Sequence, residues 1–185
     1  MTALYPQIEP YDRGMLDFGD GNHVYWEACG NPDASPPSSF TVVRGRNVPR
    51  HRRYFDPDRY RIVLFDQRGC GRSTPPASDP DTEMRCNTTS HLLADMERLR
   101  EHLGIDRWLL SGGSWGSTVL LAYAERYPSR VSEIVISGVT TTRRSEIDWL
   151  YRGLSRFSRN NGSGFGPGSA MTTTTVISSP PTHAS

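Results

Sequence analysis

The sequence predicts an α/β fold, a largely parallel sheet covered by helices and preceded by a β-hairpin. Three observations carry this. Between residues 61 and 137 short apolar runs alternate with helical periods in the order strand, helix, strand, helix, strand, which suits parallel pairing with covering helices. Two of those runs end in glycine-rich turns. Two segments flanking Gly19-Asp20-Gly21-Asn22 carry the punctuation of a hairpin.

In chain order, residues 14–18 and 23–28 form the hairpin. Residues 32–53 show no convincing period and shift from Ser/Pro-rich to Arg-rich composition, so no regular element is expected there. Arg61-Ile62-Val63-Leu64-Phe65-Asp66 reads as a buried strand. Asn87 or Thr88 caps a helix that places Leu92, Met96, Leu99 and Leu103 on one face and stops at Gly104. Residues 108–111 are a second buried strand, residues 118–127 a second helix ended by Pro128, and residues 131–137 a third strand. Ser145-Glu146-Ile147-Asp148 resembles a capping box opening a helix with Ile147, Leu150, Leu154 and Phe157. From residue 158 the composition becomes Asn, Gly, Ser, Thr and Pro, a low-complexity tail expected to be disordered. The domain therefore spans residues 1–157, with residues 34–49 atypical, and the tail spans residues 158–185.

A formal net charge of +1 gives no basic footprint for nucleic acid. No stretch approaches the ~20 apolar residues of a membrane span, and residues 1–10 show no signal peptide. Cys29, Cys70 and Cys86 are odd in number and scattered, which argues against a disulfide framework or a zinc site. A cytoplasmic protein without metal or cofactor is expected, with no nucleic-acid or membrane partner and no partner protein inferable from the sequence. All 21 basic residues are arginine, which indicates a GC-rich coding sequence.

Chemistry concentrates at Gly112-Gly113-Ser114-Trp115-Gly116, a G-x-S-x-G pattern between a buried strand and a helix. A nucleophile elbow needs small neighbours because the serine backbone is strained and strand and helix approach closely. Ser114 would present its hydroxyl at the carboxyl edge of the sheet, with the Trp115 backbone N–H as half of an oxyanion hole. The alternative is a glycine-rich turn carrying an ordinary exposed serine. Asp66-Gln67-Arg68-Gly69-Cys70-Gly71-Arg72-Ser73 lacks the Gly-Lys-Ser/Thr of a phosphate loop and reads as a structural turn. The acid and base of such an elbow follow it in the chain. After Ser114 the candidates are Glu125, Glu133, Glu146, Asp148 and His183. Glu125 and Glu146 fall on expected helices, Glu133 on a strand and His183 in the tail, so the elbow is read as lacking its base.

The segments 66–75, 87–89, 112–118 and 122–124 together strongly resemble the prolyl aminopeptidases, or proline iminopeptidases. These are serine peptidases of α/β-hydrolase fold that release N-terminal proline from peptides through an acyl-enzyme. The resemblance covers about residues 5–33 and 50–157. It implies that Ser114 is the nucleophile, that the Trp115 N–H is an oxyanion donor, and that residues 145–157 start the helical cap. Three family features are missing: the His-Gly-Gly-Pro-Gly loop, replaced by Thr41-Val42-Val43-Arg44-Gly45; the downstream catalytic Asp and His; and most of the cap. Back-translated with GC-rich codons and read one base earlier, residues 34–45 give Lys-Pro-Ala-Val-Val-Leu-His-Gly-Gly-Pro-Gly, and the tail likewise yields helix-like text. Residues 34–49 and 158–185 are therefore read as out-of-frame segments of a truncated copy. An incomplete sheet with one corrupted strand and uncovered apolar faces follows, with little or no peptidase activity. A non-functional gene product and another hydrolase, such as an esterase, remain alternatives.

Overall fold

In the computed structural model, which describes residues 4–34, 39–44, 47–149 and 174–178, the alternating runs assemble into one seven-stranded mixed sheet. Its strands are β1 (Asp12–Asp17), β2 (His23–Gly30), β3 (Ser39–Arg44), β4 (Arg61–Asp66), β5 (Trp108–Ser114), β6 (Val131–Val139) and β7 (Thr174–Ser178), in the spatial order β1-β2-β4-β3-β5-β6-β7. β1 and β2 pair antiparallel as the expected hairpin, and Gly19 and Gly21 in its turn take φ of 75° and 83°. β4, β3, β5 and β6 form the parallel centre. The helices are α1 (Thr89–His102), α2 (Trp115–Arg126) and the short α3 (Arg144–Asp148). No helix among the described residues is long and apolar enough to cross a membrane.

The first difference from the sequence reading is β3. Within residues 34–49, read as an interruption of the sheet, Ser39–Arg44 supply its central strand, with Phe40–Val43 paired to β4 on one side and β5 on the other. Composition hid a short β-branched run, Thr41-Val42-Val43, of the kind that favours extended backbone. With β4 and β5 each presenting a row of unmet N–H and C=O groups to the gap, pairing outweighs weak local propensity. The second difference is β7. Thr174–Ser178, inside the segment expected to be disordered, pairs antiparallel with β6. A Thr/Val/Ile run adds to an open edge through the same backbone bonds. The rest of that segment lies outside the described residues, as do Leu150, Leu154 and Phe157.

The main core lies between the sheet and helices α1 and α2. Leu92, Met96 and Leu99 of α1 are buried with Leu103 just beyond it, as their period requires, against Trp108, Leu110, Leu120 and Tyr123. Each such side chain contributes about 1.5–3 kcal/mol through burial. The opposite face holds a smaller cluster of Cys29, Ile62, Leu64 and Leu109. It is closed by Ile8, Phe55 and Tyr60, so the uncovered apolar face expected from the sequence is not found there. Burial raises the Cys29 thiol to about 12, which makes it an inert core residue.

Candidate active site

β5 is buried from Trp108 to Gly112 and then emerges, so that Ser114 ends the strand exposed and directly precedes Trp115, the first residue of α2. The expected helix start at residue 118 is thus three residues late. Ser114 has φ 54° and ψ −126°, a conformation that L-residues avoid and that a sharp strand-to-helix reversal imposes. Gly112, Gly113 and Gly116 surround it, with Gly112 and Gly116 buried where strand and helix approach. Gly138 of β6 takes φ 56°, and a Cβ there would lie 3.9 Å from the Ser114 nitrogen.

The reversal is clamped to the end of β6. The Ser117 hydroxyl donates to the Ser114 carbonyl at 2.6 Å and accepts from the Thr140 backbone N–H at 3.0 Å. Thr118 Oγ1 donates to the Thr140 carbonyl at 2.7 Å. These bonds over-determine the local backbone, which is how a strained serine persists in a folded chain. Replacing Ser114 with glycine, which occupies this φ/ψ region freely, is expected to raise unfolding free energy by about 1 kcal/mol in urea titration. A loss of stability would show that the serine backbone is unstrained.

Ser114 and Trp115 face a cleft of about 880 Å³, walled opposite by Val139, Thr140, Ile147 and Trp149. Trp149 is 60% exposed and Trp115 42%, an unusual density of open indole surface. The wall is held by Glu146. Its carboxylate accepts from the Thr141 N–H at 2.8 Å, Thr141 Oγ1 at 3.0 Å, Thr140 Oγ1 at 3.2 Å and the Arg143 N–H at 3.3 Å. The Thr141 backbone bond, ahead of the others, pulls the Glu146 carboxyl below its ordinary value. The first residue of α3 is Arg144, capped by this reach of Glu146 back to Arg143, so the cap sits two residues before the expected Ser145.

The remaining candidates are dispersed. Glu125 is exposed on α2, Glu133 sits in β6 and Asp148 ends α3, while His183 lies outside the described residues. Among the described residues no histidine lines the cleft. The turn after β4 is structural. Asp66 is fully buried; it accepts from the Asn47 N–H at 2.6 Å and from Arg72 Nε at 2.7 Å. Arg72 and Arg52 both reach Glu27, each at 2.9 Å. Burial works against the Glu27 charge, yet the hydrogen bonds and charge of Arg52 and Arg72 outweigh it and hold the carboxyl below its ordinary value. The role of Glu146 and the indole wall were not legible beforehand, because they depend on a loop folding back from β6.

The comparisons with known proteins agree with this geometry. Residues 47–163 match the alpha/beta hydrolase fold family. The chain is 60% identical over 156 residues to a probable proline iminopeptidase of Streptomyces coelicolor, covering 82% of this chain and 47% of that protein. It is 48% identical over 157 residues to a proline iminopeptidase of Arabidopsis thaliana, covering 82% and 39%. The chain thus spans about half the length, or less, of the curated relatives it matches. Among solved structures, a proline iminopeptidase-related protein from Thermus thermophilus superposes with a TM-score of 0.53 at 30% identity, over 64% of this chain and 41% of that one. The family match covers more than half of the residues, and the sheet has a parallel centre covered by helices: the chain belongs to the alpha/beta hydrolase fold family.

Proposed function

We propose that this chain is the nucleophile-bearing half of a serine hydrolase of the proline iminopeptidase type, acting on peptides with an N-terminal proline. The conformation of Ser114 carries this reading, because a non-glycine residue at φ 54° exposed between a buried strand and a helix is the geometry of a nucleophile elbow. The Ser114 hydroxyl would attack the prolyl carbonyl, the Trp115 N–H would stabilise the oxyanion, and water would release proline from the acyl-enzyme. The indole and aliphatic wall supports an apolar ring as the group bound beside Ser114.

The attack needs a proton acceptor. Among the described residues Glu146 is the one carboxylate lining the cleft, and its oxygens already accept four hydrogen bonds. Amide cleavage by this chain alone is therefore expected to fall by ~10⁴-fold or more relative to a complete triad. Prolyl-4-nitroanilide should be cleaved at the buffer rate by both the chain and its Ser114→Ala variant; Ser114-dependent turnover would overturn the inactivity. At alkaline pH, where solvent hydroxide takes the Ser114 proton and 4-nitrophenolate leaves unprotonated, a proline 4-nitrophenyl ester should acylate Ser114 and leave Ser114→Ala unlabelled by mass spectrometry. Labelling elsewhere, or none, would remove the nucleophile assignment.

A further inference from the structure

We propose that Asp20, Cys86 and His91 form a transition-metal site, best matched to zinc, that ties the β1–β2 turn to the start of α1. Three separate segments converge: the hairpin turn, the last residue of the short 3₁₀ helix Met84–Cys86, and the first turn of α1. One donor atom from each lies within 4.8 Å of the other two. A carboxylate oxygen, a thiolate sulfur and an imidazole nitrogen are the donors that zinc takes, with solvent completing a fourth position. Tetrahedral zinc spaces its donors by roughly 3.3–3.8 Å, given metal–ligand bonds of about 2.0–2.3 Å. The three groups need to close by no more than ~1.5 Å, a shift of the exposed β1–β2 turn that carries Asp20.

The surroundings are prepared for this. Thr88 Oγ1 lies 2.8 Å from His91 Nδ1, which orients the ring and leaves Nε2 for a metal, the usual outer support of a ligating histidine. Asp20 accepts from Arg68 Nη1 at 2.7 Å and twice from Asn22 at 3.1 Å, so one of its ~four acceptor positions remains open. Arg68 is the competing cation, and Asp95 neutralises it through a buried two-point contact. The Cys86 thiol proton passes to solvent as the sulfur–metal bond forms. The cleft at Ser114 shares none of these residues.

Titrating the metal-free full chain with cobalt(II), a coloured substitute for zinc, tests the site. One equivalent should saturate a near-ultraviolet sulfur-to-cobalt band and the visible bands of tetrahedral cobalt, and zinc should displace both. Cys86→Ser should abolish the sulfur band, and His91→Ala should weaken binding by more than the ~10–100-fold that loss of an outer partner causes. Thr88→Val should weaken it by about 10-fold. Cys70→Ser should leave it unchanged, and circular dichroism of each variant separates loss of ligand from loss of fold. No saturation at one equivalent, or bands that persist in Cys86→Ser, would overturn the site; so would an absence of any zinc-dependent rise in the wild-type melting temperature.

Discussion

Asp95→Ala is expected to lower unfolding free energy by about 3–5 kcal/mol, because it leaves the Arg68 guanidinium buried with its main counter-charge removed. Both side chains are 2% exposed, and Arg68 Nε reaches Asp95 Oδ2 at 2.7 Å while Nη2 takes the other oxygen. Arg68 also bonds Asp20 and the Cys86 carbonyl, so one guanidinium joins the hairpin turn, the loop before α1 and α1 itself. Asp20 is partly exposed and cannot replace Asp95 in the interior. Against the ~5–15 kcal/mol of an intact domain, the loss is a large fraction of the whole. Urea titration measures it. The double variant Arg68→Met with Asp95→Leu should recover part of the loss, since two apolar groups leave no orphaned charge. A single-variant cost below about 1 kcal/mol would show that the pair behaves as a solvated surface bridge.

Val42→Pro is expected to cost about 3 kcal/mol or more and to broaden or abolish cooperative unfolding. Val42 lies between Leu64 of β4 and Ser111 of β5, paired on both sides, where proline removes a ladder donor from the centre of the sheet. The readouts are the denaturation midpoint and the far-ultraviolet circular dichroism. If residues 34–49 were an irregular insertion, as their composition suggests, the same substitution would be nearly neutral. The experiment therefore separates the local reading of this segment from its place in the sheet.

The elements that were legible share a physical property: their signal is local. The apolar run 61–66, the α1 face of Leu92, Met96 and Leu99, and the stop at Gly104 follow from periods of two or 3.6 and from turn chemistry. The Gly-Gly-Ser-Trp-Gly turn was equally legible, because small residues around a serine at a strand–helix junction have few other uses. β3 was not legible. Its local text is poor, and the force that extends it comes from unmet backbone groups on β4 and β5, both of which follow it in the chain by more than fifteen residues. β7 was missed for the same reason, at an outer edge. The spacing of Cys29, Cys70 and Cys86 gave no hint of a metal site, since the other two ligands proposed for Cys86 come from a hairpin and a helix.

Sequence by itself thus determined the alternating α/β order, the hairpin and the serine set in a glycine-rich reversal, all of which depend on neighbours within a turn or two. Tertiary structure alone decided that an unpromising segment becomes the central strand and that Glu146 builds a wall across from Ser114. It also decided that Arg68, Asp95, Asp20, Cys86 and His91 meet. Such contacts arise where buried charges and unpaired backbone groups find partners across long loops, and no period in the chain records which distant partner will satisfy them.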